Sequence, residues 1–190
     1  MSRLILVRHA EPTEDARGRC YGTLDLELSA RGRAQASALA ERLAREQFDC
    51  VYSSPRRRAL QTAAALAYPV VPDERLCELD FGDFEGRAYE EIERDEPALF
   101  AQWMDAPTTV RFPNGESYAD LRTRATAVLD EIRRRHAAAV IVTHGGVIRA
   151  GLAGWLELPD HAIFRLDQPY CGVTIVDWLG EEPVVRCLNG

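Results

Sequence analysis

Leu4-Ile5-Leu6-Val7-Arg8-His9, near the N-terminus, and Val140-Ile141-Val142-Thr143-His144-Gly145-Gly146, far downstream, decide how this chain reads. Each is a short continuous apolar run, the pattern of a strand buried on both faces, and each ends abruptly on a histidine. Packing accounts for the apolar residues and leaves the two histidines unexplained. In an open α/β sheet ligands bind at the carboxyl ends of the strands, so two strand-end histidines predict one site. Arg8 adds a guanidinium. Gly145 and Gly146 let backbone approach a ligand closely, and the helix expected after them favours anions at its N-terminus. Imidazole beside guanidinium suits chemistry on a phosphate.

Working outward, Ala36, Leu39, Ala40 and Leu43 recur at helical spacing, and the polar stretch 11–29 before them reads as a loop. Residues 48–52 read as a second strand ending at Ser53-Ser54. Pro55 follows Ser54 as N1 follows an N-cap, which predicts a helix over about 55–66. Val70 and Val71 predict a short third strand. From 72 to 116 the pattern is irregular, broken by Pro97, Pro107 and Pro113, with short helices expected over 88–95 and 97–104. Ser117 and Asp120 form a capping box ahead of a helix whose Leu121, Ala125, Val128, Leu129 and Ile132 share one face. A helix over about 147–156 and strands over 172–178 and 184–188 complete the chain. Strands alternating with amphipathic helices predict an α/β three-layer sandwich, a mostly parallel central sheet flanked by helices. Residues 72–116 then form an insertion over the active-site edge.

The 190 residues fit one domain, 1–190, large enough to bury a core without staples. A net charge of −7 argues against nucleic acid as a partner. No apolar stretch approaches the roughly 20 residues a bilayer span needs, and the run before Arg8 is too short for a signal-peptide core. The expectation is a cytoplasmic protein without a membrane partner. Cys20, Cys50, Cys77, Cys171 and Cys187 are odd in number and lack CxxC spacing, which fits reduced thiols better than disulfides or zinc.

Two further blocks carry chemistry. In Ser53-Ser54-Pro55-Arg56-Arg57-Arg58-Ala59, three consecutive helical arginines point about 100° apart, so they cannot all serve one pocket. One could reach a phosphate held at the strand ends, while the others form a solvated face. Between Leu76 and Gly86 four acids, Glu78, Asp80, Asp83 and Glu85, alternate with aromatics and glycines in what reads as a structured loop. A carboxyl held against apolar neighbours has a raised pKa and can donate a proton near neutral pH, a task for one of the four. His136 near a helix C-terminus reads as structural, and His161 as an exposed loop residue.

In their order, these four blocks resemble the histidine phosphatase superfamily (phosphoglycerate mutase-like, branch 1) over nearly the whole chain, from residue 4 to about 156. The resemblance implies a phosphoglycerate mutase-like fold and a phosphomonoesterase acting on a small phosphorylated metabolite, without a metal and without a cofactor. It implies that His9 is the nucleophile and forms a phosphohistidine, that Arg8, Arg58 and His144 surround the phosphoryl oxygens, and that Glu78 is the proton donor. Tyr21, Gly22 and Gly145 complete the expected substrate-binding set. Ala10 departs from the family's frequent glycine, which matters only if that position needs φ > 0.

The 78–86 segment looks like the phosphatase version, which favours hydrolysis over a phosphoglycerate mutase-like phosphotransferase. A non-catalytic phosphate-binding module is a weaker alternative, since the set of His9, His144, Arg8, Arg58 and Glu78 is intact. The loop 18–25, together with Pro12, looks like the α-ribazole phosphatase branch. That makes α-ribazole 5′-phosphate, an intermediate of cobalamin biosynthesis, one substrate to test. Selection should come from this loop and from 72–116, where Phe81, Phe84, Trp103 and Phe112 either wall a pocket or pack the segment onto the body. A homodimer is left open.

Overall fold

A computed structural model describes residues 2–190. Strands β1 (Ser2–Arg8), β2 (Cys50–Ser53), β3 (Val70–Pro72), β4 (Ala138–Thr143), β5 (Val173–Leu179) and β6 (Glu182–Cys187) form one sheet in the order β3-β2-β4-β1-β5-β6. The first four are mutually parallel, whereas β5 runs antiparallel to both β1 and β6. The sheet is therefore mixed. Hydrophobic patterning marks strands and carries no direction, so the reversal at β5 was invisible in the sequence.

Leu4 to Val7 are fully buried, as a continuous apolar run in a central strand requires. Leu4, Leu6, Ala139 and Ile141 point to one face, into a core closed by helices α5 (Tyr118–Arg135) and α6 (Gly145–Trp155). Ile5, Val7, Val140 and Val142 point to the other, toward α1 (Ala30–Leu43) and α2 (Arg57–Ala64). The period-2 alternation of strand side chains thus builds the two interfaces of a three-layer sandwich. Register sets the site: Arg8 lies opposite Thr143 and Ser53 opposite Val142, so His9, Ser54 and His144 emerge together at one edge.

Two helix starts differ from the sequence reading. Helix α2 begins at Arg57 with Arg56 in the cap position, so Ser54 and Pro55 lie outside it. Helix α6 begins at Gly145, two residues before Val147, because glycines at a helix start leave no apolar periodicity to read. The Ser117–Asp120 capping box is present, with Asp120 Oδ2 accepting from Ser117 N at 2.8 Å.

The 72–116 segment carries the two short helices expected there, α3 (Tyr89–Asp95) and α4 (Pro97–Asp105). It has a small core of its own, in which Phe84, Ile92, Trp103, Val110 and Phe112 pack around Cys20 of the 18–25 loop. The two selector regions named from the sequence are therefore one packed unit. Among the described residues no helix is long and apolar enough to cross a membrane.

Candidate active site

His9 sits one residue past β1, and its backbone N–H still donates to Thr143 O at 2.9 Å, so the sheet ladder holds it. Its ring Nδ1 is 2.7 Å from Ala10 O. A carbonyl only accepts, so Nδ1 carries the proton and Nε2 keeps its lone pair. Ala10 is fully buried, donates to Thr62 Oγ1 at 2.9 Å and is not among the residues with positive φ. The alanine in place of the family's glycine therefore introduces no left-handed strain.

The His144 ring lies edge-on to that of His9, with centroids 5.0 Å apart. Its Nδ1 faces Arg58 Nη2 at 3.3 Å, and its Nε2 faces Ser54 Oγ at 2.8 Å. A guanidinium only donates, so Nδ1 accepts and Nε2 donates to the serine. Ser54, read from sequence as a helix cap, is instead the support of this histidine. Burial, then the field of Arg58, holds both imidazoles well below their ordinary pKa, and Arg8 adds to this. Both are neutral at pH 7.

Of the three consecutive arginines, Arg58 is the one that turns inward, with no solvent exposure. It donates to Leu24 O at 2.6 Å, to Gly22 O at 2.8 Å and to Tyr21 O at 3.0 Å, which pins the 18–25 loop to the sheet edge. Arg57 turns outward and pairs with Glu27. Arg8 lies 4.2 Å over the ring of Tyr170, donates to Gln168 O, and reaches Tyr21 Oη at 3.2 Å. The Nε atoms of Arg8 and Arg58 are buried without partners, and among the described residues neither arginine has an ion pair. One fully buried and one half-buried guanidinium, neither in an ion pair, beside two neutral imidazoles form a site suited to an anion.

The acid loop resolves which carboxyl faces this site. Glu85 accepts from Thr23 N, Leu24 N and Phe81 N, Asp80 from Gly82 N, and Asp83 holds Asn114. These three tie loops together. Glu78 instead lines a cavity of about 180 Å³ with Arg8, His9, Tyr21 and Phe81. Its Oε2 accepts from Gly146 N at 3.1 Å, at the start of α6. The loop is anchored by Thr143 Oγ1 on Leu76 O at 2.6 Å, and by Arg124, which donates to Cys77 O at 2.6 Å and to Glu78 O at 2.8 Å.

Gly145 and Gly22 are both places of close approach. A Cβ at Gly145 would lie 3.0 Å from Arg149 Nη1, and one at Gly22 would collide with Leu79 O at 1.8 Å. Sequence reading missed Ser54, Tyr170, Gln168 and Arg124. Of these only Ser54 stood inside a block already singled out. A larger cavity of about 430 Å³ beyond Tyr170 is lined by residues of the 11–17 stretch and Arg31, and neither histidine reaches it.

The histidine phosphatase superfamily (branch 1) model matches residues 4–190. The chain belongs to that superfamily. It is 41% identical over 156 residues to phosphoserine phosphatase 1 of Hydrogenobacter thermophilus, a match covering 79% of this chain and 74% of that protein. The structure of the α-ribazole phosphatase from Shigella flexneri superposes with a TM-score of 0.90 at 26% identity, covering 99% of this chain and 96% of that one. A mycobacterial glucosyl-3-phosphoglycerate phosphatase superposes at 0.87 with 30% identity over the whole of both chains. This histidine phosphatase acts on small phosphorylated metabolites, and its substrates are phosphomonoesters.

Proposed function

We propose that the chain, as a single unit over 1–190, hydrolyses a phosphomonoester in two in-line steps through His9. In the first, the Nε2 lone pair attacks phosphorus, the bond from phosphorus to the ester oxygen breaks, and Glu78 passes its proton to the departing alkoxide. In the second, the Glu78 carboxylate takes a proton from water. The water oxygen bonds to phosphorus, the N–P bond breaks, and inorganic phosphate leaves. Phosphoryl transfer needs an aligned nucleophile and positive charge around the equatorial oxygens. Arg8, Arg58 and His144 supply that surround, so the reading needs no metal. The carrying observation is the neutral His9 with a free Nε2, beside two guanidiniums whose Nε atoms are buried without partners and which form no ion pair among the described residues.

His144 helps hold the oxygens if its proton moves from Nε2 to Nδ1 and Arg58 Nη2, which otherwise donates to Nδ1 at 3.3 Å, turns to the phosphoryl oxygens instead. Ser54 allows this, because a hydroxyl that accepts from Nε2–H can equally donate to a bare Nε2. The 18–25 loop, through Tyr21 and Gly22, and the 72–116 segment face the alcohol half of the ester. Resemblance in the 18–25 loop and likeness to the Shigella enzyme support α-ribazole 5′-phosphate, with a place in cobalamin biosynthesis. The Hydrogenobacter and mycobacterial relatives support phosphoserine or glucosyl-3-phosphoglycerate. The test is phosphate release from these esters with EDTA present, with rapid acid-free quenching to trap phosphorylated His9. Unchanged turnover in His9→Ala would refute the mechanism. Formation of an isomer from 3-phosphoglycerate would make the chain a mutase.

A further inference from the structure

Behind His144 the hydrogen bonds continue away from the phosphoryl position, into a part of the acid loop that the proposed chemistry leaves unused. Ser54 Oγ, which accepts from His144 Nε2 at 2.8 Å, lies 3.6 Å from Cys77 Sγ, and that sulfur lies 3.5 Å from Glu74 Oε2. The helical turn Glu74–Leu76 brings the last two together, with Cys77 N donating to Glu74 O at 3.1 Å. Ser54 is fully buried and Cys77 is 8% exposed, whereas Glu74 reaches solvent. Burial holds the Cys77 thiol above its ordinary pKa, so it keeps its hydrogen at pH 7. The two ends of this chain fix its direction, because a guanidinium only donates and a carboxylate only accepts. Every hydrogen therefore points one way: Arg58 Nη2–H to His144 Nδ1, Nε2–H to Ser54, O–H to Cys77, and S–H to Glu74.

Ser54 Oγ has two lone pairs, and in this arrangement both are taken, by His144 Nε2–H and by Arg56 N–H at 3.3 Å. When the His144 proton passes to Nδ1 to meet a phosphoryl oxygen, Ser54 must turn its own hydrogen to the bare Nε2. That empties one of its lone pairs and takes away the hydrogen that Cys77 Sγ had accepted. A thiol answers both changes by rotating its S–H from Glu74 to Ser54. Only Glu74 then loses a partner, and its exposed carboxylate returns to water at little cost. We propose that Cys77 is a positioning residue, a two-way hydrogen-bond switch biased by Glu74 that sets which nitrogen of His144 carries the proton, and thereby how firmly the site grips a phosphoryl group. This rests on the placing of His144 at the phosphoryl oxygens above and deepens it. With S–H on Glu74 the chain favours the resting tautomer, whose bare Nδ1 cannot donate to an oxygen. Reversing the chain opposes phosphate binding, which also loosens the product.

Nitrogen-15 spectra of the His144 ring, assigned by their loss in His144→Gln, read the tautomer directly. In the free wild type Nδ1 should be unprotonated and Nε2 protonated, and saturating inorganic phosphate should reverse them. Cys77→Ala strands the Ser54 hydrogen only in the resting arrangement, so it should shift the free protein toward the Nδ1–H form. Inorganic phosphate should then inhibit it a few-fold more tightly than the wild type. Glu74→Ala should act in the same direction more weakly. Cys77→Ser, which can both donate and accept, should restore the wild-type spectrum and inhibition. A side chain that merely filled space would give the opposite sign, since its loss would loosen the site. Weaker phosphate inhibition in Cys77→Ala therefore overturns the proposal, and so do His144 nitrogens unchanged in both alanine variants. If Cys77→Ala does not fold, the spectrum of Glu74→Ala decides alone. If phosphate leaves the wild-type nitrogens unchanged, the placing of His144 on the phosphoryl oxygens falls, and the free-protein comparison still decides the switch.

Discussion

Around the two histidines, His9, Ser54, Arg58 and His144 are 0–1% exposed; His9, Ser54 and His144 each follow a strand of the sheet, and Arg58 stands in the first turn of α2. On the side where the proposal places the alcohol, Glu78, Arg149 and Tyr89 are half-buried or exposed and Phe164 is 56% exposed, and loops and the short α4 make up much of the wall of a cavity of about 200 Å³. The first region is held by ladder hydrogen bonds and by two core interfaces. The second leans on Tyr118 and Leu121 of α5 and adds the small aromatic core around Trp103 and the clamp of Arg124 on the acid loop. Rigid strand ends can hold reacting atoms in place, while a separately packed segment can change its lining without disturbing them. Substitutions on the first side should therefore depress all esters alike, and those on the second should depend on the alcohol.

The hardest attempt to break that division is His9→Ala, which removes the proposed nucleophile. Phosphate release should fall by at least about a thousandfold on every ester, aryl or alkyl. A loss confined to one substrate would mean that His9 binds the alcohol half. Glu78→Gln probes the other side. It should cost about a hundredfold or more on alkyl esters and only a few-fold on p-nitrophenyl phosphate, whose leaving group needs no proton. Equal losses on both would move Glu78 into the phosphoryl surround.

The same division explains what could be read in advance. Strands β1 and β4 were legible because burial on both faces demands an unbroken apolar run, and the histidines stand out where it stops. Arg58 was one of three equivalent arginines until the superfamily's pattern selected it, since its direction depends on α2 starting at Arg57. Ser54-Pro55 imitates an N-cap and N1 pair, which concealed the serine's bond to His144. Tyr170, Gln168 and Arg149 gave no signal. They act on partners fixed by tertiary packing, as Gln168 does on Arg8 across 160 positions. The four aromatics of 72–116 divided: Phe84 and Phe112 are buried in its core, while Phe81 and Trp103 also line the cavity of about 200 Å³ beside Glu78.

A subtler probe of the phosphoryl side is Ser54→Ala. It strands the buried His144 Nε2–H, a cost of about 1–3 kcal/mol in stability. Without a hydroxyl able to accept from Nε2–H or donate to a bare Nε2, the proposed proton shift on His144 is obstructed, which should lower kcat/KM about tenfold, evenly across esters, because the proposal sets His144 on the phosphoryl oxygens. Thermal unfolding and the ester panel check both halves of this expectation. An ester-dependent loss would show that the rigid side also takes part in selection.

The smallest effect is a pH slope, and it too belongs to one region. His9 and His144 are held well below the ordinary histidine value of 6.5 by burial and by Arg58. As pH falls through 6.5 the unfolded chain takes up a proton at each, while the folded chain does not until its depressed pKa is reached. The unfolded state therefore binds more protons, and stability falls with falling pH by about 1.4 kcal/mol per unit for each histidine. Carboxylates held low by arginine, Asp177 by Arg3 and Asp73 by Arg75, add their loss only near and below their ordinary 3.8. Between about pH 6 and 4.5 the slope should therefore come chiefly from the phosphoryl side, and His9→Gln should remove roughly half of it in denaturant titrations. Phe81→Leu, on the leaving-group side, should leave it intact. An unchanged slope in His9→Gln would mean that His9 is already charged near pH 6, which would deprive the proposed nucleophile of its lone pair.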